Sequence, residues 1–132
     1  EGMVEKIKLE DWHPDYGLNI INYKSGVTAI GARNYLIAYN INLNTQDKKI
    51  ATDIALDIRE LGRAKRDGNG KIIRDKQGKI KKKPGKLKCT KAVGWYIDEY
   101  KKAQVSMNLT NYLITPIHIA FEETRKQEKV LP

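Results

Sequence analysis

Segments of period two and of period 3.6 follow one another along this chain as strand, helix, strand, strand, helix, an order that predicts an α+β fold: an antiparallel sheet with two helices on one face. Three observations carry it. Over residues 35–43, Tyr35, Ile37, Tyr39, Ile41 and Leu43 point one way and Leu36, Ala38, Asn40 and Asn42 the other, as in an extended strand. Ile50, Ala51, Ile54, Ala55, Ile58 and Leu61 recur at helical spacing. Two alternating stretches, 92–98 and 103–112, flank a turn at 99–102, the pattern of an antiparallel hairpin.

Taken in order, residues 1–25 hold scattered apolar side chains with Pro14 and Gly17 as breakers, and are expected to be a connector. They lack an initiator Met and start in mid-pattern, as a segment following another would. Domain 26–132 opens with an expected strand at 27–30, a turn at 31–33 and the strand 35–43. Asn44 or Thr45 is placed to cap a helix over about 46–61, and Gly62 to stop it. Residues 67–82 form a basic insertion in which Asp67-Gly68-Asn69-Gly70 and Gln77-Gly78 signal turns around β-prone pieces at 71–74 and 79–81, giving a protruding, mobile hairpin. It is not a calcium loop, because Ile72 stands where such a loop needs Gly and Gly78 where it needs Glu. In the stretch 103–112, Ala103, Val105, Met107 and Leu109 face the core while Gln104, Ser106 and Asn108 face away. Thr115 as cap and Pro116 at the first helical position open a helix to about residue 129, with Ile117, Ala120 and Phe121 on its buried side. One further strand would complete a ferredoxin-like sandwich, and the chain stops before it at Leu131 and Pro132.

The net charge of +9 belongs to one segment. Residues 63–91 hold thirteen Lys or Arg against Asp67 and Asp75, a balance of +11, so the remainder sums to −2. Basicity is therefore local and does not make the fold a nucleic-acid binder. No stretch has the length and apolarity of a membrane span or signal peptide, and a cytoplasmic protein without membrane contact is expected. Cys89 is the only cysteine, which excludes an internal disulfide and a cysteine zinc cluster. There is no phosphate-binding loop, dinucleotide fingerprint or nucleophile elbow. His13 falls in the connector and His118 in the first turn of a helix, neither beside a nucleophile, so no catalytic and no metal-binding residue is assigned.

Chemistry is instead expected on the sheet face that the helices leave open. Asn40 and Asn42 on one strand and Gln104, Ser106 and Asn108 on another offer uncharged donors and acceptors suited to a flat, amide-bearing or heteroaromatic ligand. The competing reading is a solvated face.

Six stretches in order, WHPDYG (12–17), GARNYLIAYNINL (31–43), IALDIRELGRAK (54–65), KAVGWYIDE (91–99), AQVSMNLTNY (103–112) and IHIAFEETR (117–125), resemble the C-terminal subdomain of the formiminotransferase family over nearly the whole chain. The resemblance implies an enzyme that moves a formimino group between N-formimidoyl-L-glutamate and tetrahydrofolate in histidine degradation, with tetrahydrofolate as substrate. It implies a folate tunnel shared with an N-terminal formiminotransferase subdomain that carries the catalytic histidine, a role that neither His13 nor His118 inherits. Arg33, Asn40, Asn42, Arg63, Gln104, Ser106 and Asn108 match the family stretches and are the expected folate- and substrate-binding residues, the two arginines suiting carboxylates or serving as structural ion-pair partners. The implied partners are folate, formiminoglutamate and the N-terminal subdomain, with a homodimer as a further option. Residues 67–82, Met107 in place of Thr and Ala64 in place of Gly depart from the family pattern. A positive flank formed by residues 67–82 would attract anionic substrates. The alternatives are a ferredoxin-like RNA-binding module, for which KAVGWYID lacks a stacking aromatic at Val93, and a non-catalytic scaffold subdomain.

Overall fold

The computed structural model describes residues 3–7, 9 and 11–130. The other residues of the expected connector, together with Leu131 and Pro132, lie outside the described residues. The chain divides into two units, residues 1–33 and 34–132.

The first unit contains one short helix, α1 (Met3–Lys6). Ile7 is buried, and the Lys6 ammonium sits 5.4 Å from the Trp12 ring centroid, a cation–π distance. Asn22 Oδ1 accepts from the N–H groups of Lys24 and Ser25, an Asx turn that Gly26 closes with φ of 70°. The strand expected at 27–30 is not formed: no described residue pairs with these residues as a strand, and Ile30 is almost fully exposed.

The second unit is an α+β, ferredoxin-like layer. Its elements are β1 (Ile37–Asn42), α2 (Lys48–Ile58), β2 (Arg63–Ala64), β3 (Lys82–Lys83), β4 (Thr90–Ile97), β5 (Lys102–Leu109) and α3 (Ile117–Val130). β1, β5 and β4 form an antiparallel sheet in that spatial order, β5 in the middle, while β2 and β3 pair separately. The register places Ile37 opposite Leu109 and Asn42 opposite Gln104 on one side of β5, and Thr90 opposite Leu109 and Ile97 opposite Lys102 on the other.

The core follows the periodicities. Ala103, Val105, Met107 and Leu109 of β5 are buried, as alternation predicts, and meet Ala51, Ile54, Ala55 and Ile58 of α2. Side chains as buried as Ile54 or Leu109 each contribute about 1.5–3 kcal/mol by leaving water. Gly94 lets α2 lie this close, because a Cβ there would run into the backbone of Ala51 and Thr52.

Boundaries differ from expectation for local reasons. Tyr35, expected on the core side, is 89% exposed, because the ladder to β5 ends at Leu109 opposite Ile37 and the Thr110 N–H turns away to the Cys89 carbonyl. For the same reason β5 ends at Leu109, short of Tyr112. The cap of α2 is Asp47, whose Oδ1 accepts from the Lys49 N–H at 2.7 Å; Thr45 supports it by accepting from the Asp47 N–H. α2 ends at Ile58, three residues before Leu61, where Arg59 turns to extended backbone and Gly62 follows with φ of 63°. On α3, Ala120, Thr124 and Gln127 are the buried positions, while Ile117 and Phe121, expected inside, are 40% and 42% exposed.

The basic insertion is a three-way junction. Residues 66–73 (RDGNGKII) and 74–81 (RDKQGKIK) repeat one eight-residue pattern, and each copy folds into the same arm. In each arm the Asp Oδ1 accepts two backbone N–H groups at 2.9 Å, from Asn69 and Lys71 in the first and from Gln77 and Lys79 in the second. Arg66 and Arg74 donate to the carbonyls of Gly70 and Gly78, whose φ angles of 78° and 79° close the turns. The stem is β2 with β3. At the centre Lys65 N donates to Lys81 O, Lys81 N to Ile73 O and Ile73 N to Lys65 O, a closed triangle of bonds 2.8–2.9 Å long.

Candidate functional site

The sheet face turned away from α2 is a grid set by register. Its rows across β1, β5 and β4 are Ala38–Asn108–Lys91, Asn40–Ser106–Val93 and Asn42–Gln104–Trp95. Five of the seven expected site residues, Asn40, Asn42, Gln104, Ser106 and Asn108, thus sit on adjacent strands as neighbours. Rows lie about 7 Å apart.

Asn40, Asn42 and Asn108 are exposed and Ser106 is half-buried. Gln104 is only 6% exposed although it faces this side, because it is held between two neighbours. Trp95 Nε1 donates to Gln104 Oε1 at 2.9 Å, and Gln104 Nε2 donates to Asn42 Oδ1 at 2.7 Å. The third row is therefore one hydrogen-bonded line across three strands. Asn40, Ser106 and Asn108 make no side-chain hydrogen bond within the described residues and present their donors and acceptors outward.

Trp95 shares this candidate face, and sequence reasoning left it out. Its signal was strand parity: with Ala92 inward, Lys91, Val93 and Trp95 must share the outward face with Gln104. Trp95 is 45% and Val93 56% exposed, so the β4 column is an apolar wall beside the amides. A ring edge against the amides and a ring face against indole is an arrangement that takes a flat heteroaromatic ligand. Cations bound the grid: Lys91 in the first row, and Lys102 one row beyond Trp95, opposite Ile97, with its Nζ on Asn44 Oδ1 at 3.1 Å. No carboxylate or imidazole stands on this face of the three strands, so the face binds and orients and has no group suited to moving protons near neutral pH.

Of the two arginines, the one in the second unit, Arg63, is not on the grid. Arg63 lies on the helix side of the sheet: its Nη2 donates to the Asp53 carbonyl at 2.9 Å, Nη2 lies 3.4 Å from Asp53 Oδ1, and Nε lies 2.7 Å from Asp57 Oδ1. The Nε contact is an ion pair and not an aligned hydrogen bond. This clamp ties the junction stem to α2. Arg63, Lys65, Arg66 and Lys83 line a cleft of about 700 Å³ there, floored by Leu56 and Ile73. Arg33 closes the first unit and is exposed.

His13 faces Asn19 in the first unit, its Nδ1 3.3 Å from the amide nitrogen, and His118 is exposed on α3. No group of three or more His, Cys, Asp or Glu able to hold a metal ion occurs among the described residues. No helix among them is long and apolar enough to cross a membrane.

A family model described as the formiminotransferase domain matches residues 38–132. The chain is 42% identical over 131 residues to the formimidoyltransferase-cyclodeaminase of Dictyostelium discoideum, covering 99% of this chain and 21% of that protein. It is 40% identical over 131 residues to the formimidoyltransferase-cyclodeaminase of Sus scrofa, again 99% of this chain and 21% of the relative. Against the glutamate formimidoyltransferase of Thermoplasma acidophilum it is 38% identical over 125 residues, 95% of this chain and 34% of that one. The chain thus spans about a fifth to a third of the length of these curated relatives.

Proposed function

The chain belongs to the formiminotransferase domain family, and from that premise we propose that it is the substrate-positioning part of a glutamate formimidoyltransferase, holding tetrahydrofolate and N-formimidoyl-L-glutamate on the open sheet face. Asn40, Asn42, Ser106 and Asn108 supply hydrogen bonds to the pterin edge and amide groups, Trp95 supplies a flat contact, and Lys91 and Lys102 attract the carboxylates. The observation that carries this reading is the grid itself: two adjacent strands turn the amides of Asn40, Asn42 and Asn108 outward, the third carries an exposed indole on the same face, and lysines stand at both ends.

In the reaction a tetrahydrofolate nitrogen adds through its lone pair to the formimino carbon, and the C=N electron pair moves onto nitrogen, giving a tetrahedral adduct. The tetrahydrofolate nitrogen gives up its proton and the glutamate nitrogen takes one, which lets the bond from the carbon to the glutamate nitrogen break as the lone pair of the former imine nitrogen re-forms the C=N bond. Both steps need a proton carrier. Nothing on the grid serves, so the carrier is assigned to the N-terminal subdomain of the assembled enzyme, which completes the site. This chain contributes proximity and orientation, which are worth several kcal/mol of barrier, on the order of 7 when alignment is complete. The setting is histidine degradation in the cytoplasm.

Calorimetric titration of 5-formyltetrahydrofolate, a stable folate, tests the reading. Asn40→Ala is expected to weaken binding by on the order of 1 kcal/mol with an unchanged unfolding midpoint. Unchanged affinity in both Asn40→Ala and Asn108→Ala would return the face to solvated surface.

A further inference from the structure

We propose that Trp95, Gln104 and Asn42 form a one-way hydrogen-bond relay that fixes Asn42 as a donor toward the ligand, so that this end of the face takes an oxygen acceptor, a carboxylate or carbonyl. The inference rests on the reading of the open face as the substrate site and names the group bound at one end of it.

An amide side chain can ordinarily turn over and exchange its donor for its acceptor. Here the turn is forbidden from one end. An indole N–H only donates, so the Gln104 atom 2.9 Å from it must be the oxygen, and the atom 2.7 Å from Asn42 must be the nitrogen. That nitrogen only donates, so it takes Asn42 Oδ1. Asn42 Nδ2 is left over, on an exposed residue, with no partner among the described residues. Gln104 is 6% exposed, which makes water a poor substitute for either bond and holds the polarity. Asn40, in the next row, has no such tether and can offer either atom. Lys102, in the row beyond Trp95, adds positive charge at the same end and favours a carboxylate over a neutral carbonyl.

Three variants separate polarity from packing. Asn42→Asp keeps an oxygen for Gln104 and removes the outward N–H. Gln104→Glu still accepts from Trp95 but cannot donate, so an unaltered Asn42 turns its nitrogen inward and presents oxygen. Trp95→Phe releases the constraint. In calorimetric titrations of the full chain with N-formimidoyl-L-glutamate and 5-formyltetrahydrofolate, the first two are expected to weaken binding about tenfold and the third about threefold. The relay has a readout independent of ligand: the Trp95 indole N–H should exchange slowly in wild type and fast in Gln104→Ala. Wild-type affinity in Asn42→Asp or Gln104→Glu overturns the relay while the site stands, and so does an indole that exchanges equally fast in both proteins. A wild-type chain that binds neither compound overturns the site reading and the acceptor assignment together, even with a protected indole.

Discussion

Replacing Gly94 by Ala is the sharpest test of how the helix layer is seated on the sheet. The added Cβ would overlap the Thr52 nitrogen and the Ala51 carbonyl group, which are backbone atoms of α2 and cannot rotate aside. Overfilling a packed core typically costs 1–3 kcal/mol, and the rigid obstacle puts this site near the top, about 3. Reduced freedom of the unfolded chain returns roughly 0.4–1 kcal/mol, leaving a net loss of about 2. With a urea slope of about 2 kcal/mol/M, the unfolding midpoint should fall by about 1 M. Gly68→Ala is the control, since no heavy atom lies within 4 Å of its would-be Cβ and its φ is not left-handed. Gly94 sits between Val93 and Trp95, so displacement of β4 should also weaken 5-formyltetrahydrofolate. A midpoint for Gly94→Ala equal to that of Gly68→Ala would refute the close-approach reasoning.

Two further outcomes are expected. Arg63→Gln removes a clamp whose side chains are about a third exposed, so solvent screening limits the stability loss to about 1 kcal/mol; folate affinity should stay unchanged, and a tenfold loss in titration would place Arg63 in the site after all. Replacing residues 65–81 by Asn-Gly joins Ala64 to Lys82, already a cross-strand pair, with a two-residue hairpin turn. The circular dichroism spectrum and monoglutamyl folate affinity should persist, while affinity for polyglutamyl folate falls at low salt and the difference shrinks at physiological salt. Equal loss for both folates would discard electrostatic attraction by the arms, and salt-steep RNA binding that vanishes with them would favour a nucleic-acid role.

What the sequence disclosed is what period alone controls. The inward set of β5 and the outward amides follow from parity, and parity also contained Trp95, which attention to polar residues passed over. The helix positions facing the sheet were legible for α2 because its apolar stripe meets a filled sheet. On α3 the same pattern misled, since Ile117 and Phe121 have helical spacing but little packed against them. Tyr35 failed similarly: alternation continues past the last residue of the partner strand, and only register shows where the partner ends. Arg63 could not be placed because a guanidinium beside two helix carboxylates looks, in one dimension, like any other free cation. The duplicated arms were written plainly as Arg-Asp-x-x-Gly-Lys-Ile, twice, and were obscured by the charge they carry.

That duplication has a consequence for how this surface changes over generations. Each eight-residue unit closes its own turn with its own Asp, Arg and Gly, and its backbone hydrogen bonds to the rest are one N–H and one carbonyl at the central triangle. Loss of a whole unit leaves the stem partners Ala64 and Lys82 and the next unit's turn intact, whereas a deletion between a unit's Asp and its Gly breaks that turn. Length variation at this point in related chains should therefore come in steps of eight, a grammar imposed by hydrogen bonds on an otherwise permissive loop.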